Sequence, residues 1–318
     1  MEPIRGHQVW SRDTLEPRDW VVALPPECLK ELHDALADLR SNRLPTLLLR
    51  AEDFRLDACR ALTQRIRRQL DDGIMFAVLD RLPLEAMSAE EATQIYWLLA
   101  SLVARPVAQR FDGTMFYDVR DTGAQLKPGS GIRPTVTNVD LTFHNDNSYN
   151  ETQPHYVALL CLSKSIEGGR SRVISMSTVH NALLDRYADL LPRLYRPFWF
   201  ERHAEHEPDD SNVFSAPVFV YDGALRTRLA IREVYAGYEL RDEPIDDEGD
   251  RALKAVQAVF DTPELRIELD FEPGQIQFVN NRATGHARTE FVDGPEPHQK
   301  RHLIRLWMRD TGKRGYRG

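Results

Sequence analysis

The chain has 318 residues, 42% hydrophobic and 28% charged, which is an ordinary composition for a water-soluble globular protein. Its formal net charge of −8, from 41 Lys+Arg and 49 Asp+Glu, lacks the basic footprint that nucleic-acid binding requires. Three widely spaced cysteines, Cys28, Cys59 and Cys161, with no CxxC pair, argue against a disulfide framework and a zinc ribbon.

The first residues, Met1 to Gly6, carry no apolar signal core, and no stretch approaches membrane-spanning length, so a cytoplasmic location is expected. Residues 1–24 hold Trp10 and Trp20 among charges and read as an irregular surface arm closed by Pro25-Pro26. Leu29, Leu32, Leu36 and Leu39 recur at helical spacing over 27–41, with His33 beside the stripe as a solvated residue. A second helix is expected over 56–70, and a strand over 74–79. A third helix over 89–104 opens on Ser88 with Glu91 three positions later, a capping box. Residues 108–138 are rich in Gly and Pro and contain one strand-like piece, 115–119. They read equally well as a lid over a site or as a long connection.

The second half is mostly short strands. They are expected at 139–144, 156–162, 172–175, 198–200, 218–220, 228–231, 265–269, 275–279 and 302–307. Two helices interrupt them, one over 178–191 capped by Ser177 and one over 250–260. The basic residues Lys313, Arg314 and Arg317 read as a solvated tail. There is no internal repeat and no low-complexity linker. Residues 1–318 therefore read as a single domain: an arm and helices over 1–72, then a core over 73–318 with helical insertions and lid loops. The fold class is mainly β with flanking helices, in a jelly roll of about eight strands under an N-terminal helical layer.

The chemistry centres on Phe143-His144-Asn145-Asp146-Asn147-Ser148-Tyr149. On a strand, residues two apart point to one face, so His144 and Asp146 can aim at one point. Two histidines and one carboxylate form the facial triad of non-heme iron oxygenases. The second histidine must come from far along the chain, and His286 follows a strand and an Asn280-Asn281 turn, with Gly285 giving backbone freedom. His180 sits in a helix, and His203 and His206 lie in a heavily charged segment that reads as a solvated loop. In the run Lys300 to Trp307, Arg301 and Arg305 fall on one strand face with Leu303 and Trp307. An arginine directed inward needs an anion, which it holds by bidentate charge-assisted hydrogen bonds.

These stretches, together with Gly168-Gly169-Arg170-Ser171 and Gln277 to Arg282, resemble the taurine dioxygenase/TfdA (clavaminate synthase-like) family of Fe(II)- and 2-oxoglutarate-dependent dioxygenases. The resemblance spans about residues 73–309. It implies a double-stranded β-helix core with iron held by His144, Asp146 and His286. It implies that Arg301 binds the distal carboxylate of 2-oxoglutarate. Ser171 assists it where the family often has Thr, and Arg305 meets an acidic group on the substrate. Asn147 and Tyr149 are further substrate-contact candidates, and Asn145 a candidate for orienting the ligands. The carboxylate at Asp146 implies a hydroxylase or desaturase rather than a halogenase. The cofactors implied are Fe(II), 2-oxoglutarate and O2, with release of succinate and CO2. The expected partner is a small molecule bearing a carboxylate, sulfonate or phosphonate. Neither nucleic acid nor a membrane is expected, and a homo-oligomer is left open. Two other classes compete: a non-catalytic, cupin-like jelly roll that binds a metal or anion, and a zinc-dependent hydrolase using His203 and His206.

Overall fold

The computed structural model describes residues 1–125, 134–203, 205–207 and 209–317. Of the Gly- and Pro-rich stretch read as a lid or connection, Pro128, Gly129 and Gly131 lie outside the described residues. The fold is mixed α/β, with two larger sheets and helices on their outer sides.

The larger sheet has the strand order Val21–Ala23, Phe76–Asp80, Ile276–Asn280, Tyr156–Ser163, His302–Met308, Pro106–Val107, with Tyr117–Val119 also pairing to His302–Met308. The smaller has the order Arg266–Leu269, Ser171–Ser175, Thr284–Arg288, Leu141–His144, all antiparallel. Period-two alternation sorts the side chains. Val157, Cys161, Leu303 and Trp307 face the smaller sheet and pack with Val173 and Ile267. Their neighbours Ala158, Leu160, Ile304 and Leu306 face the opposite way, under the helices Pro26–Ser41, Asp57–Asp72 and Ala89–Val103. The capping box at Ser88 and Glu91 forms as the spacing requires. The outer face of the smaller sheet, through Phe143, Ile174 and Ala287, is covered by the helices Met176–Arg186 and Asp247–Phe260. No helix among the described residues is long and apolar enough to cross a membrane.

Four expectations are corrected. The first 24 residues are not a surface arm: Val21–Ala23 pairs in parallel with Phe76–Asp80, and Trp10 and Trp20 both pack on Phe76 in the inter-sheet core. The helix capped at Ser177 is instead capped by Ser175, whose hydroxyl accepts from the Thr178 amide. The strand Ser171–Ser175 runs into this helix with no loop between, which moves the cap forward by two residues. The strand expected over 228–231 is replaced by a hairpin ending at Thr227 and a helix Ile231–Leu240. Both backbone groups of Leu229 are taken by Asn145, so they cannot join a ladder. The basic tail folds back: Tyr316 is buried, and Arg309 holds the carbonyl of Lys313.

Candidate active site

The strand Leu141–His144 ends at His144, which lies directly opposite His286 of Thr284–Arg288. Their ring centroids are 4.4 Å apart. His286 is on a strand rather than in a loop, and Gly285 supplies room rather than freedom there. A Cβ on Gly285 would sit 3.1 Å from Ile174 Cγ2 and 3.3 Å from Met176 Sδ. Asp146 does not share the strand face with His144; it sits in the turn that follows.

That turn is fixed by asparagines. Asn145 donates to the Thr284 carbonyl (2.8 Å) and accepts from the Thr227 hydroxyl (3.0 Å) and the Leu229 amide (2.9 Å). The Asp146 amide donates to Asn281 Oδ1 (2.8 Å), and Asn281 Nδ2 donates back to the Asp146 carbonyl (2.9 Å). Asn147 has φ +57°, a left-handed conformation that asparagine tolerates better than most residues. Asn281 thus ties the turn of one ligand to the strand that leads to the other.

His144 Nε2 is 3.7 Å and His286 Nε2 3.9 Å from Asp146 Oδ1, too long for hydrogen bonds. The three side chains can each offer an atom within 4.8 Å of the others, the one such His/Cys/Asp/Glu group among the described residues. His144 Nδ1 lies 2.9 Å from the Thr142 carbonyl, which makes it the protonated nitrogen and leaves Nε2 bare. Burial, the largest cause, pushes His286 down to about 3, so its imidazole is neutral and ready to ligate. Burial alone would raise the Asp146 carboxyl. The Arg305 charge and the two histidines outweigh it and hold the group ionised, well below its ordinary range. Arg305 Nη1 donates to Asp146 Oδ1 (3.0 Å) and Trp307 Nε1 to Oδ2 (2.7 Å). Two imidazoles beside a fixed carboxylate are the donor set that suits Fe(II).

Two cavities meet at this cluster. The outer cleft, about 280 Å³, is bordered by His144, Asp146, Asn147, Tyr149, His203, Glu233 and Arg305 among others. A narrower inner cavity is bordered by His144, His286, Ser171, Arg301 and Arg305. Arg301 is 4% exposed, its Nη1 has no partner among the described residues, and burial pushes it down to about 9. Gly169, at φ +70°, makes room for it: a Cβ there would lie 3.0 Å from Arg301 Cδ. Ser171, on the same cavity wall, donates to Gln277 Oε1 (2.6 Å). Arg305 also donates from Nε to Gln109 Oε1 (2.8 Å). Asn147 borders the cleft, but its side chain is held by Tyr316 (3.0 Å) and the Thr152 carbonyl (3.1 Å).

Sequence reasoning placed Trp307 on the face of Arg305 but gave it no role, and it missed Gln109, Glu233 and Arg288. Same-face spacing from His286 would have found Arg288. No signal pointed to Gln109 or Glu233. The rival histidines do not assemble. His203 Nε2 pairs with Glu233 (3.0 Å), His206 Nδ1 with the Glu207 carbonyl (2.8 Å), and His180 with Tyr195 (2.8 Å).

Residues 40–307 match the family model for taurine catabolism dioxygenase TauD, TfdA family. FR-33289 synthase from Streptomyces rubellomurinus is 26% identical over 317 residues, covering 96% of this chain and 90% of that protein. An asparagine oxygenase structure with Fe(II), 3-hydroxyasparagine and succinate overlays with a TM-score of 0.67 at 22% identity, over 91% of this chain and 93% of that one. The non-heme iron oxygenase OrfP, with Fe and α-ketoglutaric acid, overlays at 0.66 and 16% identity, over 92% and 94%. The two overlays show a shared fold. With a family match over most of its length, the chain belongs to the TauD/TfdA family and is an Fe(II)- and 2-oxoglutarate-dependent dioxygenase.

Proposed function

We propose that this dioxygenase hydroxylates a small, amino-acid-like substrate carrying an anionic group, with Fe(II) held by His144, Asp146 and His286. The observation that carries the reading is the position of these three residues at the junction of two cavities, with His144 and Arg305 bordering both. Residues 1–318 then form one oxygenase domain, whose two facing sheets are the walls of a double-stranded β-helix.

The inner cavity is assigned to 2-oxoglutarate. Arg301 takes its distal carboxylate, a role supported by the buried, unpartnered Nη1. Ser171 assists once its hydroxyl turns from Gln277. The outer cleft is assigned to the substrate. Arg305 offers it a cation for a carboxylate, sulfonate or phosphonate; Nη2 makes neither of the bonds that hold Asp146 and Gln109. Tyr149 supplies an aromatic wall beside Asn147, its ring edge-on to His203 at 4.8 Å. Glu233 adds a carboxylate to the same cleft. A cleft with both signs of charge suits a substrate bearing an amino group and an acid. It is in keeping with the hydroxyasparagine and hydroxyarginine in the asparagine oxygenase and OrfP structures.

Bound iron and 2-oxoglutarate supply the oxidising chemistry, with succinate and CO2 as co-products. The protein's own share is positional. Trp307 and Arg305 hold the Asp146 carboxylate in place, and Thr142 keeps His144 in the ligating tautomer. The apolar lining from Leu141, Phe143 and Ile231 limits water.

The test is anaerobic difference absorbance of the metal-free protein with Fe(II) and 2-oxoglutarate, beside His144→Ala. A visible charge-transfer band in the wild type alone supports the ligand assignment. Amino acids with a second acidic group, and amino-sulfonates and amino-phosphonates, are then screened by succinate release. A wild-type protein that is folded, iron-supplied and bandless would sink the assignment.

A further inference from the structure

The inner cavity holds a second guanidinium. Arg288 lies two residues beyond His286 on the strand Thr284–Arg288, so both side chains leave the same face. It is 4% exposed and borders the cavity with Arg301, Ser171 and His286. Its Nη2 donates to the carbonyls of Thr137 (2.9 Å) and Val139. Its Nε and Nη1 have no partner among the described residues, and neither has Nη1 of Arg301. The two guanidiniums approach one ring: Cζ of Arg288 is 4.8 Å, and Cζ of Arg301 5.4 Å, from the Phe291 centroid. The carboxylates whose charge acts on Arg288, namely Asp140, Asp121 and Asp293, each have another partner. Asp140 pairs with Arg172 (3.4 Å), Asp121 accepts from the Gly123 amide (2.9 Å), and Asp293 accepts from the backbone nitrogen of Arg301 (2.8 Å).

Two buried cations near one ring, with three nitrogens unpaired among the described residues, form an arrangement that protein interiors avoid. A hydrogen-bonding anion between them removes both costs at once. A brace on the Thr137 and Val139 carbonyls uses Nη2 alone and leaves Nε and Nη1 unexplained. Arg288 and Arg301 both border the cavity beside His286.

We propose that Arg288 is a second cosubstrate-binding arginine, which shares the distal carboxylate of 2-oxoglutarate with Arg301. This rests on the assignment of the inner cavity to 2-oxoglutarate. It gives the site a dication for one carboxylate, and hence strong selection of a dicarboxylic over a monocarboxylic oxo acid. It also joins the occupied cavity to the Thr137–Val139 backbone. That backbone leads into Asp140 and Leu141 of the outer cleft wall, so the cosubstrate braces the substrate's side of the site.

The experiment compares two ligands by calorimetry on the full-length, Mn(II)-loaded protein: 2-oxoglutarate, and 2-oxopentanoate, which keeps the oxo-acid head and replaces the distal carboxylate with a methyl group. The readout is the ratio of the two affinities. Arg288→Met is expected to shrink that ratio about tenfold or more while leaving 2-oxopentanoate binding within about threefold, because one charge-assisted contact is lost at the distal end only. Arg288→Lys, which keeps the charge without the fork, is expected to lose about threefold and guards against a Met variant that fails to fold. Arg301→Met is the benchmark and should shrink the ratio further. An unchanged ratio in both Arg288 variants, with Arg301→Met collapsing it, overturns the proposal and leaves Arg288 as a brace. An unchanged ratio in Arg301→Met as well overturns the cosubstrate assignment of the cavity itself.

Discussion

The strand residues His144 and Arg305 border both cavities; beyond them the inner cavity takes its polar residues mainly from strands, whereas the outer cleft takes them mainly from turns and from the start of a helix. Ser171, His286 and Arg288 are strand residues, and Arg301 directly precedes the strand His302–Met308. Asp146, Asn147 and Tyr149 belong to the turn after Leu141–His144, His203 to a position with φ +50°, and Glu233 to the first turn of Ile231–Leu240. Ladder hydrogen bonds fix the first set in register with both sheets. The second set is held by side chains, above all Asn145 and Asn281. On the proposed assignment, the part given to His286 and the cosubstrate is thus part of the scaffold, whereas Asp146 sits in the turn. The part given to substrate can vary without disturbing the sheets.

The sharpest break of this division is at Asp146, which stands between the two sides. Asp146→Asn removes the negative ligand and leaves Arg305 and Trp307 without their acceptor charge. It is expected to lower iron affinity by at least about 100-fold. Anaerobic iron titration checks this, and a variant that holds iron as tightly as the wild type would contradict the assignment. Next comes the device that builds the outer side. Asn145→Ala strips three buried hydrogen bonds, to Thr284, Thr227 and Leu229. It should cost about 2–4 kcal/mol in a urea unfolding curve. A loss below about 1 kcal/mol would mean the turn stands without its asparagine.

This division also explains what could be read from the chain. Alternation along His302–Met308 puts Leu303 and Trp307 on one face and Ile304 and Leu306 on the other, as the structure does. The types and order of His144, Asp146 and His286 let the sequence bring them together, and the structure has them in one cluster, with Arg301 beside the inner cavity. The same-face argument for His144 and Asp146 reached the right pair through the wrong geometry, since the strand stops at His144. Glu233 was not legible: its place depends on a helix that begins at Ile231 because Asn145 captures Leu229, a contact across 84 positions. Trp10 and Trp20 were misplaced because a three-residue parallel strand, Val21–Ala23, has too little sequence to announce itself.

A gentler probe separates the two sides by kinetics. Glu233→Gln keeps the shape and removes the charge on the cleft wall. Once a substrate is identified by succinate release, its KM should rise about tenfold while that of 2-oxoglutarate stays unchanged. Equal shifts in both would show that the two cavities are not independent.

The smallest effect concerns stability, and its sign follows from the same carboxylate. Burial alone would raise Glu233. The His203 hydrogen bond and the Arg232 guanidinium outweigh it and bring the group from its ordinary 4.5 down to about 2. The unfolded chain therefore takes up this proton first as the pH falls. The stabilisation is fully present above about pH 4.5 and is lost as the pH falls from there towards 2. Its full size is on the order of 2–3 kcal/mol, of which a fraction has gone by pH 3.5. Urea midpoints between pH 6 and pH 3.5 should therefore fall more steeply for the wild type than for Glu233→Gln, which has no proton to gain. Parallel slopes would mean that His203 and Arg232 do not hold this carboxylate in solution, and that the outer cleft is looser than the strand-built cavity behind it.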